Sequence, residues 1–222
     1  MKKITLILAG ALLATSSVFA GGLRESFLKP LKPVRGGGGS DVQNVIKLKP
    51  AGLAIGAFVF QYERALNENM TLAMDLTYMS RSYTAAYSSL ATATTTLSGF
   101  GVSPEFRYYT GGEAPAGFYL AGFLEYYSFT LTAEGTNMSG ISGTAKLSGM
   151  GAIGGGILLG YQWLIGGHFS IDTNIGARYI SLSSPTTFEA SFSDGTKTTE
   201  TVPSLSISGG LPAANIGFGW GF

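Results

Sequence analysis

The strongest constraint on this chain is its last eight residues, Asn215-Ile216-Gly217-Phe218-Gly219-Trp220-Gly221-Phe222. Bulky apolar side chains alternate there with small or polar ones, and a strand's side-chain period is two. Ile216, Phe218, Trp220 and Phe222 therefore share one face, while Asn215, Gly217, Gly219 and Gly221 share the other. In a water-soluble sheet the oily row would face a core. At the end of an exported chain the same row suits hydrocarbon, and it predicts a strand of an outer-membrane barrel.

Export is legible at the other end. Met1-Lys2-Lys3 is basic, Ile4 to Ala14 is apolar, and Val18-Phe19-Ala20 puts small residues at the −3 and −1 positions. Residues 1–20 therefore read as a secretory signal peptide cleaved after Ala20. Its apolar run is too short for a bilayer-spanning helix, which needs roughly twenty residues. Residues 21–43 carry Pro30, Pro33 and Gly36 to Gly39, show no period, and read as a flexible leader. The chain has 0 Cys, which excludes disulfides, thiol chemistry and a lipid on an N-terminal Cys.

Composition agrees with a lipid-facing exterior. Charged residues are 12% of the chain, about half the usual share, too few to coat a soluble surface. A net charge of +1 with no basic run beyond the leader gives no footprint for nucleic acid.

From Asn44 to Phe222, eight segments alternate in polarity: 44–53, 55–64, 70–83, 100–109, 117–131, 147–164, 169–182 and 205–222. The connections 65–69, 110–116 and 165–168 are short, whereas 84–99, 132–146 and 183–204 are long. This asymmetry matches short periplasmic turns and longer external loops, so the expected fold is an all-β, eight-stranded antiparallel up-and-down transmembrane barrel over residues 44–222. The first connection, near Ala54, is the exception, being external yet very short. The Ser/Thr/Ala/Gly-rich long connections, such as Ser88 to Thr96, read as solvated loops without a binding hot spot.

Parity then divides the side chains. The outward rows put Tyr62, Tyr108, Phe118, Trp163, Phe169, Trp220 and Phe222 at periplasmic strand ends, as a lower aromatic girdle, with Tyr78, Tyr126 and Tyr179 near the upper one. Phe118 to Tyr126 corresponds to roughly 19 Å of height for a tilted strand, close to an apolar band. The inward rows collect Lys47, Lys49, Gln61, Glu63, Asp75, Arg81, Glu105, Arg107, Glu125, Gln162, Asp172, Asn174, Arg178 and Asn215. Five acids meet five bases in a lumen about wide enough for its own side chains. Such charges are expected to pair into a polar plug rather than line a pore.

No catalytic, cofactor or metal site emerges. Gly149 to Gly154 matches G-x-G-x-x-G, but three further glycines at 155, 156 and 160 oppose the helix that the fingerprint requires. His168, Ser170 and Asp172 share a strand face, yet neighbours on that face stand ~6.6 Å apart, too far for a hydrogen-bonded relay. The chain has one His and dispersed carboxylates, a poor set of metal ligands.

Several stretches resemble a family of Gram-negative outer-membrane β-barrel proteins of unknown function: Asn44 to Leu48, Phe60 to Asn67, Pro104 to Tyr109, Gly117 to Leu120 and Leu159 to Trp163. The resemblance runs from about Asn44 to Phe222, implies a small barrel, and implies no activity. Phe222, with Trp220 and Phe218 before it, also resembles the C-terminal signal read by the outer-membrane assembly machinery. The expectation is a monomeric, non-enzymatic outer-membrane protein in contact with lipid and lipopolysaccharide. Its role would be structural or adhesive, with a host or surface ligand met through the long loops. The alternatives are a narrow small-solute channel and a lipid-modifying barrel enzyme. A soluble lipocalin-like barrel would carry its apolar residues inside, the reverse of this pattern.

Overall fold

The computed structural model describes residues 42–88, 91–136, 142–183, 186–193, 195–202 and 206–222, all within one compact unit. Residues 1–20, expected to be a signal peptide, and residues 21–41 of the expected leader lie outside the described residues. Among the described residues ten antiparallel strands form: β1 (Asn44–Leu48), β2 (Ala57–Ala65), β3 (Met70–Ser88), β4 (Ala91–Tyr109), β5 (Gly117–Thr136), β6 (Ser142–Ile165), β7 (Phe169–Ser183), β8 (Thr186–Phe192), β9 (Lys197–Val202) and β10 (Ile207–Gly221). Eight of them close a ring, β1 to β7 in order and then β10, which returns to β1. The seam is the antiparallel pairing of Val45 with Gly221, Ile46 with Trp220, Lys47 with Gly219 and Leu48 with Phe218.

The ring is inside-out relative to a soluble barrel. Leu72, Leu76, Leu124, Ile153, Ile157 and Ile175 are exposed on its outer face, whereas Lys47, Gln61, Glu63, Arg107 and Gln162 are fully buried inside it. Tyr62, Tyr108, Phe118, Phe169, Trp220 and Phe222 are exposed on the outer face near the three short turns. Trp163 shares that face and packs its ring 4.6 Å from Tyr161. A second outward set, Phe58, Tyr78, Phe100, Tyr126 and Tyr179, lies farther up the strands. Leucine and isoleucine, with Phe60, Met74, Phe106 and Phe218, occupy the band between the two aromatic sets.

Two expectations change. The first connection is neither very short nor simple: residues 50–53, expected to extend the first strand, leave the sheet for a 3-10 helix, Pro50–Ile55. Pro50 has no N–H to give to a ladder and sits in the first helical turn, where none is needed. Gly56 ends the helix at φ 77°.

The long connections are also mostly strand. β3 and β4 pair up to Ser88 and Ala91, and β5 and β6 up to Thr136 and Ser142. Thr186–Phe192 and Lys197–Val202 pair as β8 and β9, and β8 pairs with the upper part of β6 beyond the end of β7. Threonine was misleading: it is polar enough to resemble loop, but its branched Cβ favours strand. Ser82–Thr96 and Thr84–Thr94 hydroxyl pairs, at 2.8 and 3.0 Å, join β3 to β4 there.

The result is a sheet of β3, β4, β5, β6, β8 and β9 standing above the upper aromatic set on one side of the ring. β6 carries a bulge at its base, where Phe129 faces Met150 and Leu131 faces Leu147. Gly149 occupies the bulge with φ 85°, a conformation that favours glycine. The extra residue reverses parity, so Ala152 below it and Leu147 above it both face the lumen side. G-x-G-x-x-G therefore lies within a bulged strand, and no helix follows it.

Candidate functional site

Inward parity brings the predicted charges together, and the register of distant strands decides their partners. Arg107 of β4 is at the centre. Its Nη1 donates to Asp172 Oδ2 at 2.8 Å and to Gln162 Oε1 at 3.0 Å, its Nε to Glu105 Oε1 at 2.7 Å, and its Nη2 to Gln61 Oε1 at 3.1 Å. The guanidinium also lies 4.5 Å above the Tyr119 ring. Lys47 of β1 donates to Glu63, Gln162 and Asp172, so one cation joins β1, β2, β6 and β7. Tyr109 donates to Glu63 at 2.8 Å and Tyr119 to Asp172 at 2.7 Å. Thr71 donates to Glu63 at 2.6 Å.

A second tier lies above. Lys49 is 2.7 Å from Asp75 and 3.9 Å from Glu105, and Gln61 Nε2 donates to Asp75 Oδ1 at 2.7 Å. Higher still, Arg178 is 3.5 Å from Glu125, which also accepts from the Tyr127 hydroxyl at 3.1 Å. Asn215 donates to Asn174, which donates to Tyr119. Arg81 is outside this network: its Nη1 donates to Ala54 O at 3.2 Å, at the Pro50–Ile55 turn.

The plug is dense because glycines on facing strands make room for it. A Cβ on Gly219 would meet Lys47 Cγ at 2.6 Å, and one on Gly160 would overlap the Tyr119 ring. Gly160→Val is accordingly expected to destabilise the barrel by about 1–3 kcal/mol through overpacking. Gly122 faces outward with open space around its Cβ position, so Gly122→Val should leave the urea midpoint unchanged. Equal midpoints for the two variants would contradict this packing.

The carboxylates of Glu63, Asp75, Glu105, Glu125 and Asp172 all face a Lys or Arg. His168 turns away from Asp172: its Nδ1 is 3.0 Å from Gly221 O, and its ring stacks on Trp220. Ser170 is buried and its Oγ has no partner among the described residues. The three do not form a relay. Among the described residues no group of three or more His, Cys, Asp or Glu could hold a metal.

Sequence reasoning missed Tyr109, Tyr119 and Thr71. The signal was present, since Tyr109 has the parity of Arg107 and Tyr119 that of Glu125. Neither tyrosine falls in a girdle row, and a count of inward charges and amides alone passes over their hydroxyls as plug donors.

A model of protein families matches residues 39–202, that of a family described as protein of unknown function, DUF3575. The chain belongs to this family. The match ends before β10, whereas the resemblance read from the residues extends to Phe222. No curated protein matches the chain. Among solved structures this DUF3575 member is similar to Acinetobacter baumannii CarO, at 13% identity over 82% of this chain and 97% of that one, with a TM-score of 0.42. Acinetobacter baumannii CarO2 is similar at 12% identity over 82% and 98%, with a TM-score of 0.41.

Proposed function

We propose that the protein is an outer-membrane barrel whose lumen is sealed and which anchors an upright β-sheet at the cell surface, in a structural or adhesive role. The observation that carries this reading is the ion-paired plug, directly beneath strands that continue above the apolar belt. Hydrocarbon around the ring offers no partner for a polar group, and the closed ring leaves no strand edge in the belt. The exposed leucines and isoleucines between two aromatic sets suit the surrounding lipid, with lipopolysaccharide at the upper set. The signal sequence and the C-terminal aromatic pattern support export and delivery by the outer-membrane assembly machinery. Surface ligands would meet the β8–β9 hairpin and the strand tips. The protein acts as a monomer and without catalysis.

Two measurements test the reading. Planar-bilayer recordings of the purified protein are expected to show no discrete conductance steps, and regular steps would replace the sealed anchor with a narrow channel. Removing residues 186–202 should leave heat-modifiable gel mobility intact, because the ring does not use them, while abolishing surface binding by cells that carry the protein. Unchanged binding would remove the adhesive role.

A further inference from the structure

The sheet above the ring is polar on its outer face and apolar on the face it shares with the lumen. Register places Ser82, Thr96, Thr132, Lys146, Glu189 and Thr199 in one row across its outer face. The neighbouring row on the inner face is Arg81, Leu97, Leu131, Leu147, Phe188 and Glu200. This order inverts the ring below, where apolar residues face out. Tyr127 and Phe129 extend the apolar face downward as a stacked pair, 5.8 Å between ring centroids. Across the lumen the ring ends lower, at the Pro50–Ile55 turn and the ends of β7 and β10, so no described strand stands opposite the row. The plug closes the space beneath.

One end of the row carries an uncompensated cation. Each charge of the plug below has an ionic partner, but Arg81 has no carboxylate partner among the described residues, and the row's own acid, Glu200, lies at its opposite end. Ala54 O takes one of the five donors that a guanidinium offers, and the Tyr83 ring lies 5.4 Å away. A fork remains for a carboxylate. Beyond Arg81 the row is apolar through Leu97, Leu131, Leu147 and Phe188, about 19 Å across four strand spacings. A peptide laid there would bury backbone N–H and C=O groups against side chains that cannot pair with them. An acyl chain has no such groups.

The geometry points to this row as a binding site for a long-chain fatty acid, its carboxylate on Arg81 and its chain across Leu97, Leu131, Leu147 and Phe188. This goes beyond the anchoring role, since it needs only the sheet and Arg81. The test is photolabelling of the full protein in phosphatidylcholine nanodiscs with a diazirine-bearing palmitate, mapped by mass spectrometry. Label is expected on the row, displaced by palmitate and about tenfold less well by hexadecanol, which lacks the charge. Arg81→Gln should reduce label on the row by about tenfold and leave label on Leu72 and Ile157 of the outer belt unchanged. Leu131→Asp should abolish label on the row. A labelled belt with an unlabelled row would overturn the proposal, as would label on the row that ignores both variants. Equal displacement by hexadecanol would overturn the assignment of Arg81 as the head-group site. An unlabelled belt would instead count against the membrane reading, so the two failures are distinguishable.

Discussion

Arg107→Ala is expected to lower the stability of the refolded barrel by about 3–5 kcal/mol, read as a fall in the urea midpoint, because it leaves buried carboxylates short of a cation. Arg107 serves Glu105, Asp172, Gln61 and Gln162 together. After its removal Lys47 still reaches Glu63 and Asp172, but the nearest remaining cation to Glu105 is Lys49 at 3.9 Å. The loss should change little with salt, since ions screen buried pairs weakly. Arg107→Lys keeps the charge and loses the planar fork, and should fall between wild type and alanine. Changing Arg107 to Met together with Glu105 to Gln should recover part of the loss, since removing both members of a buried pair costs less than removing one. An alanine variant with the wild-type midpoint would mean that the lumen is not held by these pairs.

Deleting residues 219–222 is expected to abolish barrel formation, both in cells and in refolding into lipid vesicles. β1 has five residues and meets β10 at four positions, and the deletion removes three of them: Val45–Gly221, Ile46–Trp220 and Lys47–Gly219. It also removes the reciprocal bonds between Asn44 and Phe222, at 2.8 and 2.9 Å. An opened ring would expose unpaired backbone groups to hydrocarbon, each costing several kcal/mol. Vesicle refolding separates two roles of the terminus, because no assembly machinery is present there. Normal refolding in vesicles with failure in cells would leave Phe222 as an address alone and contradict its part in the seam. Phe222→Ala, which keeps the backbone bonds, should refold in vesicles and assemble slowly in cells.

Much of this was legible in the residues because strand parity is local. Whether a side chain on an established strand faces in or out depends on counting by two, so Lys47, Glu63, Arg107 and Asp172 were assigned to one face without knowledge of their partners. The aromatic rows of Tyr62, Tyr108, Phe118 and Trp220 followed in the same way. Counting failed where the pattern itself was weak. In the described parts of the stretches 84–99, 132–146 and 183–204, Thr and Ser take most of the outer face, and the large apolar side chains of the inner face are few and widely spaced among alanines. Leu97, Leu131, Leu147 and Phe188 look unrelated in sequence, and only pairing across four strands makes them a row.

By itself, then, the sequence determined the strand period, the two faces of each strand, the three short turns and the alternation that ends in Phe222. These follow from chemistry within a few residues. Tertiary structure decided the rest. Closure between β1 and β10 set which charges meet, the Gly149 bulge kept β6 facing inward on both sides of it, and the β8–β9 hairpin joined β6 above the end of β7. Register between strands far apart in the chain depends on how the whole ring packs, and a period of two contains no information about it.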